Sequence, residues 1–508
     1  MKKIFKKHYD LILGFLIFVS YRYVFNFLLF YKRDVPPEPD DSYFYLANAA
    51  NALKPDTFES FRLLPFSLWV KFISFFTKLN LESAYELNFY IGPIVMFVAL
   101  AYFLRRLEAN KRIRLFLIFI ITLYSGTGSY HGFYWVVPSF YQLALFFVVL
   151  SFVISQKIDK FWKIFTASFT FIFIHPTSIF VSMIFLAYPF VYFFIKQKFQ
   201  LATFFNTAKV IFALAVSYGL YVLIGLNFPH AGSPESFETI LKLLTDFISG
   251  NLKADSFPVI WSEYFSIFFL NPLTTTIYFL MLFFLYKAKR FEVLSGYICA
   301  LILVLFSSFL PYGWRALGFL WPLTFLMIGY AIVGFAASFE KFKKLALFTV
   351  GLSTIILFLT TTIFNRIYVS SVNLKGDYNW DRSCASELSN QTVYFPTLES
   401  RFAFVTNGVE RNQAILLDRK AMSDIYISGG TVIDIKDEPK KEQRLSKIED
   451  LLAGAITRRN EKNFNIRPDN SWNQNLFYLE DLDLQKNRRQ KVLHKDCGHY
   501  LIYKLENI

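Results

Sequence analysis

The chain has 508 residues, 55% of them hydrophobic and 20% aromatic, with 63 Phe and a positive mean hydropathy; this excludes an ordinary soluble protein of its length. A formal net charge of +15 invites a nucleic-acid partner, but its placement argues against one. From Arg366 onward 22 Lys/Arg stand against 20 Asp/Glu, while the first 365 residues hold 31 basic and 18 acidic ones, the excess expected of cytoplasmic loops between membrane spans.

The apolar residues fall in runs of about 18–24, the length a helix needs to cross roughly 30 Å of hydrocarbon. The N-terminus MKKIFKKHYD is basic, and Leu11–Tyr31 follows as an apolar run. That run is too long for a signal peptide and no small-residue cleavage site follows it, so it is read as a retained first helix. The four preceding lysines place the N-terminus in the cytoplasm. The acidic, Pro-stiffened stretch 34–65, DVPPEPDDSYFYLANAANALKPDTFESFRLLP, then faces outward.

Phe66–Phe76 is amphipathic enough to lie at the interface, and Tyr85–Leu104 is a second span ending in Arg105, Arg106, Lys111, Arg112 and Arg114. Leu115–Tyr124 leads out and Pro138–Ser155 leads back, with the Lys- and Arg-free GTGSYHGFYWVV between them. Phe165–Ile174 and Ile179–Ile195 form a hairpin turning at His175-Pro176-Thr177. Val210–Leu226 reaches an outer loop, Asn227–Trp261, and Tyr264–Tyr286 descends from it. Val293–Leu310 ascends to the turn Pro311-Tyr312-Gly313-Trp314-Arg315, Ala316–Phe339 descends, and Leu345–Phe364 ascends. The expected fold is mainly α: a polytopic bundle of about 11 transmembrane helices over residues 1–365, with a soluble extracytoplasmic α/β domain over 366–508. Assigned cytoplasmic segments carry 21 basic residues and outer ones nine, while the outer segments hold 13 of the 18 acids.

In the C-terminal part, Thr392–Pro396, Phe402–Thr406, Ala414–Leu417, Thr431–Ile435, Leu476–Tyr478 and Tyr500–Leu505 are short and β-rich. Glu442–Ile456 carries a helical apolar face, and Gly429-Gly430 marks a turn. Cys384 and Cys497 either pair in an oxidising compartment or remain two thiols; Cys299 sits in an apolar run as packing. No internal repeat is visible.

Asp40 and Asp41 are the leading candidates for chemistry. Adjacent carboxylates at an outer membrane surface can deprotonate an attacking hydroxyl or hold a divalent cation against a pyrophosphate. Either one can equally cap the helix expected in YFYLANAANAL, and one acid can do each job. Arg315, framed by Tyr312 and Trp314, suits a lipid-linked phosphate as a bidentate clamp, or snorkels to the interface beside an aromatic belt. Arg62 is a weaker version of the same proposal. His131 and His175 fall in charge-poor outer turns, where an uncompensated His is costly; His175 reads best as a capping or pocket residue. Nothing in the spacing of the two His residues requires a metal.

With that layout, the chain resembles the GT-C superfamily of polytopic glycosyltransferases. PDDSYFYL in the first outer loop is similar to the acidic motif those enzymes carry after their first span. NALKPDTFESFRLLPF is similar to their L…R-x-L-P stretch, and WRALGFLWPL to the Arg-Phe-x-x-Pro end of a late motif in some mannosyltransferase branches. The second acid is Asp where Glu is frequent, and Pro311-Tyr312-Gly313 replaces the His-Lys-Glu that precedes the late Arg in some branches. The Trp-Trp-Asp-type run of oligosaccharyltransferases is absent, which counts against peptide N-glycosylation.

The resemblance implies Asp40 or Asp41 as the base and Arg315 as a ligand of the donor phosphate. It implies a polyprenyl-phosphate sugar donor within membrane lipids, a lipid, glycan or protein acceptor, no required cofactor though a divalent cation is compatible, and a multi-pass protein, with a bacterial inner membrane favoured over the endoplasmic reticulum. Three rivals compete. An O-antigen-type polymerase or ligase usually has its large outer loop late, whereas the acids here sit in the first. A lipid-linked-substrate transporter or flippase predicts repeats and in-span charges, of which only Arg22 is seen. A non-catalytic scaffold keeps the fold and loses the activity.

Overall fold

A computed structural model describes residues 2–30, 45, 48–49, 64–122, 138–155, 157–175, 178–198, 200–225, 245, 249, 256–309, 313–338, 380–395, 400–401, 404–405, 407–409, 413–416, 429–435 and 489–507. The chain is mostly helical and divides into two compact units. One gathers Met1–Asn26, Asp56–Pro65 and Asn88–Asn365; the other gathers Phe27–Pro55, Phe66–Leu87 and Arg366–Ile508.

The helices in chain order are α1 (Lys2–Phe30), α2 (Leu64–Thr77), α3 (Leu81–Leu107), α4 (Lys111–Thr122), α5 (Pro138–Val153), α6 (Phe161–Ile174), α7 (Ser178–Lys196) and α8 (Leu201–Gly225). A broken segment follows: α9 (Phe257–Ile260), a π-turn (Trp261–Phe265) and α10 (Ser266–Phe269). Then come α11 (Pro272–Lys287), α12 (Phe291–Ser307), a 3₁₀ turn (Gly313–Ala316) and α13 (Leu317–Ser338).

Among the described residues, three helices are long and apolar enough to cross a membrane: Ser83–Leu107, Leu201–Leu223 and Gly313–Ala336. Six shorter apolar helices accompany them. That is fewer than the eleven spans expected, since several predicted spans are helices shorter than 18 residues and neither α1 nor α4 is among the apolar helices; two further departures are specific. Leu345–Phe364 lies outside the described residues. The predicted single span Tyr264–Tyr286 is in fact cut in two at Asn271-Pro272. Pro lacks an N–H and pushes the residue before it out of the helical region, so the first piece must end there. Asn271 instead caps α11, its side chain accepting from Leu273 N–H at 2.9 Å.

Within the first unit the helices sort their polar residues to two ends. At one end Arg114 Nε donates to Asp10 Oδ2 at 2.8 Å and its Nη1 to the Glu108 carbonyl at 2.8 Å. The Glu108 carboxylate also accepts from Arg290, from Asn110 N–H at 2.7 Å and from Tyr330 OH at 3.4 Å. Arg106 grips Asp159, with Nη2 to Oδ1 at 2.8 Å, and stacks over Tyr102 and Phe152. Asn206 ties this loop down by donating to the carbonyls of Phe152 and Lys157. Asp10 and Glu108 are 1% and 3% exposed, so the pairs are out of water and depend on their partners.

Closely packed helices connect that end to the other. Gly334 lets α13 approach α11 so closely that a Cβ there would lie 2.4 Å from the Phe284 carbonyl oxygen, the close approach that small residues permit in membrane bundles. Deeper, Tyr264, Tyr278, Tyr297 and Thr324 form a buried chain. The Thr324 hydroxyl donates to the Leu320 carbonyl, so it accepts from Tyr264 at 2.8 Å. Tyr264 therefore accepts from Tyr297, and Tyr297 from Tyr278, both at 2.8 Å. One proton per hydroxyl fixes a single direction along the chain.

In the second unit, α14 (Ser383–Glu387) precedes a five-stranded sheet of order β2-β1-β3-β5-β4, formed by β1 (Val393–Phe395), β2 (Ala414–Leu416), β3 (Gly430–Ile435), β4 (Arg489–Asp496) and β5 (Tyr500–Asn507). β1 pairs in parallel with β2 and β3, while β5 runs antiparallel to both β3 and β4. β4 is absent from the sequence prediction because RQKVLHKD is polar; it sits at the sheet edge, where charge discourages further pairing. Within predicted strand Phe402–Thr406, Phe404 and Val405 are helical instead. Gly429 and Gly430 enter β3 with φ of 73° and 157°.

Cys384 and Cys497 form a disulfide across a sequence separation of 113, with Cα atoms 6.5 Å apart. It closes over an aromatic core of Trp380, Phe404 and Tyr500. Burial pushes the neighbouring His499 imidazole down to about 4, favouring its neutral form. In the same unit Tyr45, Asn48 and Ala49 are helical and buried, and the rings of Tyr45, Phe66 and Tyr85 pack in series.

Candidate active site

The turn carrying Arg315 lies at the end of the first unit opposite the ion pairs. It arises where α12 stops and α13 has not begun. Ser307 and Ser308 close α12 by returning their hydroxyls to Leu303 and Val304 carbonyls, and Gly313–Ala316 winds one 3₁₀ turn into α13. Gly313 is required by close approach, because a Cβ there would fall 1.7 Å from the Ser307 carbonyl oxygen. Its N–H donates to Ser256 Oγ at 3.0 Å, and Ser256 N–H donates to the Ser308 carbonyl at 3.1 Å. Two hydrogen bonds thus fasten the start of α9 to this turn. Arg315 is half-buried, its guanidinium 6.0 Å from the centre of the Trp314 ring.

A neutral polar knot stands nearby. Gln142 Nε2 donates to Ser178 Oγ at 2.6 Å and to the His175 carbonyl at 3.3 Å. His175, 6% exposed, is the C-cap of α6, so its backbone serves the hairpin turn. Tyr141 OH donates to Asn88 Oδ1 at 2.7 Å beside the knot. Phe146, four residues after Gln142, meets Phe319, four residues after Arg315, with ring centres 5.2 Å apart. That contact joins α5, which carries Gln142, to the first turn of α13, which follows the Arg315 turn. Arg22, the in-span charge, reaches the Thr122 carbonyl at 3.4 Å and lies beside the Phe18 and Tyr21 rings.

The structure thus places Arg315 and Trp314 together on one turn and His175 in a buried cap. Asp40, Asp41, Arg62, His131 and Tyr312 lie outside the described residues. Sequence reasoning missed Ser256, Gly313 and Gln142, which hold the Arg315 turn and the knot in place. A Gly between aromatics, PYGWR, was the one signal available for the first pair. Nothing local marks Ser256 or Gln142, whose partners lie 57 and 36 residues away.

No family model matches the sequence, and no curated protein sequence matches it. Among solved structures, the chain is similar to the Archaeoglobus fulgidus oligosaccharyltransferase, determined with an acceptor peptide containing the NVT sequon tethered through a disulfide bond. The two share 12% identity with a TM-score of 0.52, over 85% of this chain and 69% of that one. At that identity the likeness speaks for the fold. The chain shares the overall fold of that oligosaccharyltransferase.

Proposed function

We propose that the chain is an inverting membrane glycosyltransferase that moves a sugar from a polyprenyl-phosphate donor to a lipid, glycan or protein acceptor at the outer or lumenal membrane face. The observation that carries this reading is the GT-C fold presenting Arg315 on a braced turn, at the end of the helical unit away from the ion-paired basic loops. Asp40 or Asp41 takes the proton from the acceptor hydroxyl. The freed oxygen pair bonds to the anomeric carbon, and the bond from that carbon to the phosphate oxygen breaks. The electrons leave with polyprenyl phosphate, whose growing charge Arg315 offsets.

Phosphate is a sufficient leaving group without a metal, and the acid pair is chemically able to hold a divalent cation, so transfer measured with and without EDTA separates the two routes. The structural neighbour was determined with a peptide acceptor, whereas this chain lacks the Trp-Trp-Asp-type run, which favours a lipid or glycan acceptor. Positive-inside counting puts residues 34–65 and the C-terminal unit outside, a bacterial inner membrane being the favoured setting.

The test is transfer in purified membranes by Asp40→Asn and Asp41→Asn variants. Transfer is expected to vanish at one of the two positions while expression and unfolding temperature stay unchanged. Wild-type rates from both variants overturn the mechanism.

A further inference from the structure

We propose that Ser256 is a positioning residue that sets the place of Arg315, an inference that rests on Arg315 as the ligand of the donor phosphate. Three observations converge on it. The Ser256 hydroxyl accepts the Gly313 N–H at 3.0 Å, and its own N–H donates to the Ser308 carbonyl at 3.1 Å. It therefore bridges both sides of the turn between α12 and α13. Ser256 is 3% exposed, so these bonds are shielded from water and from competition by it. Gly313 is seated against the Ser307 backbone with no room for a Cβ, a close approach that only glycine permits and that puts its N–H within reach of Ser256.

Arg315 follows Gly313 by two residues within the same 3₁₀ turn. A shift of the Gly313 amide therefore carries the guanidinium with it. Ser256 also opens α9, whose continuation holds Tyr264 in the tyrosine chain. The latch is thereby anchored in the interior of the unit, while the residue it governs sits at the end. A phosphate clamp gains from such fixing because a bidentate contact tolerates little misplacement.

Two measurements on the full-length protein in nanodiscs separate this inference from the reading it rests on. The first is amide hydrogen exchange across Gly313–Arg315. Exchange is expected to speed up at least tenfold in Ser256→Ala and to stay near wild type in Ser256→Thr, which keeps the hydroxyl. The second is binding of farnesyl phosphate, with farnesol as the phosphate-free control. Arg315→Ala is expected to erase the preference for the phosphate. Ser256→Ala should weaken farnesyl phosphate binding three- to tenfold and leave farnesol binding unchanged, with Ser256→Thr restoring affinity. Unchanged exchange in Ser256→Ala overturns the latch whatever Arg315 does. Faster exchange with unchanged phosphate affinity, while Arg315→Ala loses it, overturns the positioning role and leaves the Arg315 reading standing. An unaltered phosphate preference in Arg315→Ala overturns the Arg315 reading itself, and the inference built on it falls too.

Discussion

The two ends of the helical unit solve opposite problems with different chemistry. At one end, Asp10, Glu108 and Asp159 are matched against Arg114, Arg290 and Arg106, and each carboxylate is occupied by a cation. At the other, the contacts that shape the structure are neutral: serine to amide, glutamine to serine, tyrosine to asparagine. Arg315 stands among them on a turn held by backbone and hydroxyl groups. The difference teaches that basic residues in this chain have two uses. Those at the first end are committed to holding helices together, whereas Arg315 stands where the bracing itself is uncharged and is proposed to meet an anionic headgroup.

Breaking the paired end should give the largest effect. Arg114→Ala leaves Asp10 buried without its cation, and loss of one partner from such a pair costs about 3–5 kcal/mol. Thermal unfolding should show that loss, while affinity of the folded fraction for a polyprenyl phosphate stays at the wild-type value. A drop in affinity as large as that of an Arg315 variant would erase the contrast between the ends.

The converse experiment is Arg315→Ala. Charged hydrogen bonds to a phosphate are worth about 1.5–3 kcal/mol, so affinity for the donor should fall roughly 10- to 150-fold, with little change in unfolding temperature. An unfolding transition that falls as far as in Arg114→Ala would assign Arg315 to the framework instead.

Between the ends, the tyrosine chain supplies a graded test. Tyr297→Phe breaks two bonds and strands the Tyr278 proton, costing about 1–2 kcal/mol, whereas Tyr278→Phe removes only the head of the chain, about 0.6 kcal/mol. Equal losses from the two variants contradict the deduced direction.

The last test lies in the second unit, which holds a neutral buried group as well as the partly exposed Lys491–Asp434 and Lys495–Glu387 ion pairs. With the His499 pKa lowered from 6.5 to about 4, the folded state binds fewer protons than the unfolded one between those values. The contribution is therefore fully present above pH 6.5 and is lost as pH falls toward 4. Protection of the β4 and β5 amides, taken relative to the intrinsic exchange rate at each pH, should fall over that window in the wild type and lose the dependence in His499→Gln.

Much of this architecture is legible in the sequence because hydrophobic runs and Lys/Arg spacing are local signals. The helices from Phe66 to Leu104 and the His175 turn fall where those signals put them. What escaped is contextual. Asn271-Pro272 was submerged in an apolar average that takes no account of a missing N–H. Predicted strand Phe402–Thr406 has the composition of a strand, yet Phe404 and Val405 are helical and buried, with Phe404 stacked on Trp380. The ion pairs join residues up to 182 positions apart, so Arg290 and Arg114 read only as loop charges. At the site, aromatic framing made Arg315 visible, while Ser256 became visible only once its partner was known.

The Cys384–Cys497 bond has a consequence for how the C-terminal unit comes apart. It makes residues 384–497 a covalent ring that contains β1, β2, β3 and β4, with β5 as a tail emerging from its closing knot. That tail lies between β3 and β4, threading two strands of the ring into one sheet. A single peptide-bond cut anywhere inside the ring therefore releases no fragment. The nicked chain keeps its full mass, and its two pieces separate only after reduction.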